Sequence, residues 1–125
     1  MNVIELDHIV LNVADAERSL AWYVDVIGLQ PERVDLWRAH KAPFPSVRIT
    51  DGTIIDIVQT ERAPGDRNMD HLCLVVDRAD VDAILADDRF MVIEGPGHRS
   101  GARGDGWSVY VHDPDGNTVE FRSYD

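Results

Sequence analysis

Two histidines and two carboxylates in matched places are the side chains of this 125-residue sequence best suited to chemistry. His8 and His71 stand 63 positions apart, each closing an apolar-Asp-His triplet (Leu6-Asp7-His8 and Met69-Asp70-His71) that opens an aliphatic run. Asp56 and Glu120 stand 64 positions apart, in DGTIIDIVQ and DGNTVEFRS. Two imidazoles and two carboxylates suit a divalent Zn, Mn, Fe, Co or Ni ion, with bonds of about 2.0–2.2 Å. Two anionic carboxylates and two neutral histidines also balance the charge of such an ion. Without it the crowded carboxylates would repel each other, and one of them is expected to hold a proton.

The elements that must carry these residues repeat as well. LDHIVLNVADAERSLAWY, from Leu6, aligns without gaps on MDHLCLVVDRADVDAILA, from Met69. A fixed internal offset is the mark of a duplicated structural unit. Glu5–Val13 is expected to be a strand, with Asp15 capping a helix from Ala16 to about Ile27 and Gly28 stopping it. Strands follow near Gln30–Leu36, Ser46–Thr50 and Thr53–Gln59, the last two joined by an Asp51-Gly52 turn. The second half gives a strand Asp70–Val76, a helix Ala79–Asp88, and strands Met91–Glu94, Trp107–His112 and Asn117–Ser123. The glycine-rich stretch Gly95–Gly106 reads as a mobile loop. Pro64-Gly65-Asp66 connects the halves, and Asp113-Pro114-Asp115-Gly116 forms the last turn. The expected architecture is α+β: one domain over residues 1–125, with a first βαβββ module over about 1–62 and a second over about 67–125.

Side chains alternate across a strand, so each candidate ligand can be assigned a face. His8 shares its face with Val10 and Asn12, Asp56 with Ile54 and Val58, His71 with Cys73 and Val75, and Glu120 with Thr118 and Arg122. The opposite faces carry Ile9, Leu11 and Val13; Ile55 and Ile57; Leu72 and Leu74; Val119 and Phe121. Those aliphatic and aromatic positions suit packing under a helix. The candidates are left on the face that can line a cavity.

Composition excludes several partners. With 23 acidic against 12 basic residues the net charge is −11, the wrong sign for neutralising nucleic-acid phosphates or an anionic membrane. No apolar stretch approaches the roughly 18 residues of a spanning helix, and no signal-peptide pattern opens the sequence. A single cysteine, Cys73, rules out an intramolecular disulfide and suits a reducing cytoplasm.

At these residues the sequence resembles the vicinal oxygen chelate superfamily, which includes glyoxalase I, extradiol dioxygenases, and fosfomycin- and bleomycin-resistance proteins. The likeness is carried by LDHIVLNVADAERSLAWYVDVIGL, MDHLCLVV and SVYVHDPDGNTVEF. It implies paired βαβββ modules in an open, cup-shaped mixed sheet, with helices on the outer face and one divalent metal per site. It further implies a small-molecule substrate and a homodimer. Carried over by position, the glyoxalase-like ligand set is His8, Asp56, His71 and Glu120, with Glu120 or Asp56 also shuttling a proton. Asp56 departs from the glutamate usual there. Being one methylene shorter, it falls about 1.5 Å short, which leaves it open as ligand, base or bystander. Ser-x-Tyr-x-x-Asp-Pro-Asp-Gly resembles the fosfomycin-resistance proteins and marks Ser108 and Tyr110 as substrate contacts. Asn12 and Arg122 share faces with His8 and Glu120, and Arg99 and Arg103 suit an anionic substrate; all four join the substrate-binding candidates. The resemblance implies a metal-dependent glyoxalase-like lyase or isomerase acting on a small oxygenated substrate. Its alternatives are a fosfomycin-type thiol- or water-transferring enzyme, an extradiol dioxygenase, and a metal-free drug-sequestering protein.

Overall fold

The computed structural model describes residues 1–26, 28–62, 66–112 and 118–125. Ile27, Pro64-Gly65 and the expected turn at Asp113–Gly116 lie outside them. Eight strands form one mixed sheet: β1 (Glu5–Val13), β2 (Gln30–Glu32), β3 (Ser46–Thr50), β4 (Thr53–Gln59), β5 (Met69–Val75), β6 (Met91–Gly101), β7 (Gly104–His112) and β8 (Thr118–Ser123). Their order is β2-β3-β4-β1-β5-β8-β7-β6. Three α-helices, α1 (Ala16–Leu20), α2 (Val34–Arg38) and α3 (Arg78–Ala86), with a π-helical turn over Ala21–Val26, complete the α+β architecture among the described residues. None of them is long and apolar enough to cross a membrane. The chain divides into two compact units, Met1–His8 with His71–Asp125, and Ile9–Asp70.

In the first unit β5 runs parallel to β8, which pairs antiparallel with β7, and β7 with β6. Alternation assigns one face of these strands to the core. Val109, Val111 and Phe121 pack with Val81 and Ile84 of α3 and with Val76. Each such side chain taken fully from water contributes about 1.5–3 kcal/mol. The other face carries His71, Glu120 and Arg122.

The glycine-rich stretch is not a loop. β6 and β7 form a long hairpin paired from Met91↔His112 to Gly101↔Gly104, so the strand expected to end at Glu94 runs on to Gly101. Two of its glycines, Gly101 and Gly106, mark close packing. A Cβ on Gly101 would overlap the Arg122 guanidinium and lie 2.6 Å from Tyr124 Oη. One on Gly106 would lie 3.0 Å from Ser123 O. The hairpin needs two smooth backbones so that Arg122 can be buried beneath it.

In the second unit Asp15 caps α1, its Oδ1 accepting from Arg18 N at 3.0 Å. The helix expected to reach Ile27 is α-helical only to Leu20. Ala21–Val26 widen into a π-helical turn, which Leu29 N closes by donating to Tyr23 O. The strand expected over Gln30–Leu36 is also shorter. Arg33 adopts a left-handed conformation (φ 57°), ends β2 and opens α2. Strands β3 and β4 fall where expected, and Ala16, Leu20, Val47 and Ile57 form their core.

Candidate metal centre

His8 on β1, His71 on β5 and Glu120 on β8 meet in the first unit. His8 Nε2 lies 3.1 Å from His71 Nε2, and each lies 3.2 Å from Glu120 Oε2. Donors on adjacent positions of an ion with ~2.1 Å bonds stand about 3.0 Å apart at right angles and about 3.4 Å apart at tetrahedral angles. The three atoms therefore have the spacing of one face of a coordination polyhedron. Glu120 is fully buried, yet its Oε2 has no hydrogen-bond partner. A buried carboxylate oxygen left in this way is costly unless a cation completes it. The donor set, two imidazoles and one carboxylate, fits a divalent first-row ion.

The other carboxylate oxygen is occupied. Arg122, wholly buried, donates to Glu120 Oε1 from Nη2 at 2.7 Å and from Nε at 3.3 Å. Burial alone would raise the Glu120 carboxyl. The His71 and His8 imidazoles beside it, and then the Arg122 charge, overcome it and hold the group well below the usual carboxylate range. Burial works to lower the guanidinium, but the Glu120 charge and the hydrogen bonds to Glu120 and Tyr124 together leave it pushed up.

Behind His8 stands Asp7, which is fully buried and which the sequence pattern marked only as part of a triplet. Its Oδ2 accepts from His8 Nδ1 at 2.7 Å and from Ala102 N at 3.0 Å. Its Oδ1 accepts from the Tyr124 hydroxyl. Burial works to raise this carboxyl too, but the bonds from His8, Tyr124 and Ala102 leave it lowered. An imidazole steadied from behind by a carboxylate is a recurrent arrangement at metal sites. The recurrence of Asp-His at positions 7–8 and 70–71 was the available signal for Asp7.

Asp56 belongs to the other unit and is not in the three-donor group. Its Oδ1 accepts from Ser46 Oγ at 2.5 Å and from Arg33 Nη2 at 3.0 Å, across the Ser46↔Asp56 register of β3 and β4. Each carboxylate thus has its own guanidinium, Arg122 for Glu120 and Arg33 for Asp56. The expected mutual repulsion, with one group holding a proton, is not what the structure shows: the Glu120 carboxyl is lowered, not raised.

The substrate-contact candidates fall in different settings. Tyr110, opposite Glu120 in the β7–β8 register, stands edge-on to His71 with ring centroids 5.4 Å apart. Burial, and then the Glu120 charge, push its phenol up, so it stays protonated at neutral pH. Ser108, opposite Arg122, is buried with its hydroxyl unpartnered. Arg122 itself is spent on Glu120, Tyr124 and Ser100 O. Arg99 donates to His98 O and sits 3.4 Å from Glu94, while Arg103 pairs with Glu5 at 2.9 Å. Asn12, in the second unit, is half-buried and engages Asn68 and Arg62 through its backbone. Cys73, opposite Glu120 on β5, is fully buried, and burial followed by the Glu120 charge pushes its thiol far up.

Known proteins are similar to this chain in sequence and fold. The chain is 32% identical to the glyoxalase domain-containing protein RDO1 of Mycosarcoma maydis, over 99% of this chain and 70% of that protein. It is 26% identical to virulence protein STM3117 of Salmonella typhimurium, over 99% of this chain and 87% of that protein. Among solved structures it is similar to the Mn(II)-bound glyoxalase from Novosphingobium aromaticivorans, with 25% identity and a TM-score of 0.70, over 97% of this chain and 39% of that one. The profile of the Glyoxalase/Bleomycin resistance protein/Dioxygenase superfamily matches residues 5–121. With nearly its whole length matched, the chain belongs to that superfamily.

Proposed function

We propose that the protein is a divalent-metal-dependent enzyme whose centre is His8, His71 and Glu120, and that it acts on a small substrate bound through two adjacent oxygens. The observation that carries this reading is the triangle of His8 Nε2, His71 Nε2 and the unpartnered Glu120 Oε2. A bound ion would supply Lewis acidity toward the substrate oxygens. The chain does the rest. Arg122 occupies one Glu120 oxygen and leaves the other to the ion. Asp7 orients His8, and the protonated Tyr110 hydroxyl donates to an oxygen that gains charge. Asp56, held by Ser46 and Arg33, acts neither as ligand nor as base in this reading.

Three donors leave three positions open on a six-coordinate ion, the arrangement used by two-histidine, one-carboxylate iron oxygenases. That favours the extradiol and fosfomycin-type reactions over a four-ligand isomerase. The similar structure that carries Mn(II) supports an ion of this class. Homodimerisation and a cytoplasmic location, with Cys73 reduced, are kept as parts of the proposal.

The test is a screen of metal-loaded protein against a catechol with O2 and Fe(II), an epoxide with a thiol and Mn(II), and a 2-oxoaldehyde–thiol adduct with each metal. Turnover of one of the first two is expected, and its loss in His71→Ala. Turnover of the thiol adduct alone would overturn the preference among reactions. Turnover that persists in His71→Ala would overturn the centre.

A further inference from the structure

We propose that the second unit carries a binding site for a phosphate group, in a cleft lined by Arg18, Ser19, Tyr23, Arg62 and Asn68. None of the three metal donors lines this cleft, and the site stands whether or not their centre takes an ion. With a net charge of −11 the protein as a whole repels anions. Most of its guanidinium groups are spent on carboxylates, as those of Arg33, Arg38, Arg48, Arg89 and Arg103 are. Arg18 and Arg62 are not: neither is paired with a carboxylate among the described residues. Both line one cleft of about 440 Å³, a size usual for small-molecule sites. Among the described residues no acidic side chain lines it.

Arg62 is fixed in place without being neutralised. It donates from Nη1 to Asn12 O at 2.5 Å, and from Nη2 to Asp66 O at 3.0 Å and to Asn68 Oδ1. Two backbone carbonyls and an amide carry no charge, so the guanidinium keeps its own, together with the N–H on Nε and one on Nη1. Accepting at Oδ1 also orients the Asn68 amide and leaves its NH2 to donate. The acids nearest Arg18 in sequence are engaged elsewhere. Asp15 accepts from its backbone N–H as the α1 cap, and Glu17 is tied to Arg38 at 2.9 and 2.7 Å. Ser19 and Tyr23, both half-buried, add hydroxyls that meet no hydrogen-bond partner among the described residues. Donors therefore dominate the cleft, and two of them are charged. A lone carboxylate would answer only one guanidinium. A phosphate group, with close to two negative charges and three terminal oxygens near neutral pH, answers both.

The test is a titration of the full chain with inorganic phosphate and with phenyl phosphate at constant ionic strength, followed by 1H–15N spectra. Saturable shifts centred on Arg18, Ser19, Tyr23, Arg62 and Asn68 are expected, and the tighter probe identifies free phosphate or an ester as the source. Arg18→Gln alters an exposed side chain and should weaken binding about 5–10-fold with the fold intact. Lys41→Gln removes the same charge from an exposed residue that does not line the cleft, and should leave binding within twofold. Equal weakening by the two variants would reduce the effect to net charge and overturn the site. So would the absence of saturation with both probes, or shifts scattered over the surface. Added EDTA should change nothing; binding lost with EDTA would assign the anion to a bound ion and overturn the site as well.

Discussion

Replacing Arg122 by methionine is expected to destabilise the metal-free protein by about 3–5 kcal/mol at pH 7.5, the usual cost of removing one partner from a buried ion pair. The side chain is wholly buried, and four polar groups depend on it: Glu120 Oε1, Ser100 O, the Tyr124 hydroxyl and, at 4.0 Å, Asp7. Methionine fills comparable space but leaves two buried carboxylates without their shared cation. The loss has a defined pH dependence. Burial opposes ionisation of Glu120 and Asp7, yet their hydrogen bonds and Arg122 hold both carboxyls below the ordinary range. A lowered carboxyl adds stability above its unfolded pKa, about 4, and that share fades as pH falls toward the folded value. Without Arg122 there is less to lose. The gap between the two proteins should therefore be smaller at pH 2.5, below the unfolded value, than at pH 7.5. Urea unfolding at the two values measures it; a cost under about 1 kcal/mol at pH 7.5 would contradict the buried pair, and a gap that widens in acid would contradict its sign.

Asp56→Ala should also be costly, and it should leave metal binding alone. The substitution removes the acceptor shared by Arg33 and Ser46 and strands both in a setting where Asp56 is 3% exposed. Because the Arg33 side chain is 24% exposed and keeps some solvent, the expected cost is nearer about 2–4 kcal/mol. The affinity for Mn(II), measured by calorimetry at a temperature where both proteins are folded, should stay within twofold. A tenfold fall would return Asp56 to the ligand set.

Much of this was written in the sequence, for reasons that can be named. His8, His71 and Glu120 were legible because an internal repeat and strand parity constrain them together. Strands β1, β3 and β4 were legible from alternation and a two-residue turn. Asp56 occupies the repeat position of Glu120, but a repeat conserves backbone placement and not the neighbours of a side chain. Arg33, 23 positions away, reaches it only because of a left-handed residue that no periodicity reveals. The β6–β7 hairpin was misread because glycine marks both flexibility and close approach. Only the position of Arg122 beneath Gly101 and Gly106 separates the two. Asp7 was in plain view as half of a recurring Asp-His pair, but alternation assigned it to the face away from its neighbour. Its link to Tyr124 spans 117 positions and no local pattern carries it.

The central claim is that His8, His71 and Glu120 form a single three-donor centre. It is met most directly by titrating the unmodified protein and its His8→Ala, His71→Ala and Glu120→Gln variants with Mn(II), with folding checked by circular dichroism. One ion per chain is expected for the unmodified protein, and loss of at least about 100-fold in affinity for each folded variant. Equal binding by all four proteins, or no binding by the first, would contradict it.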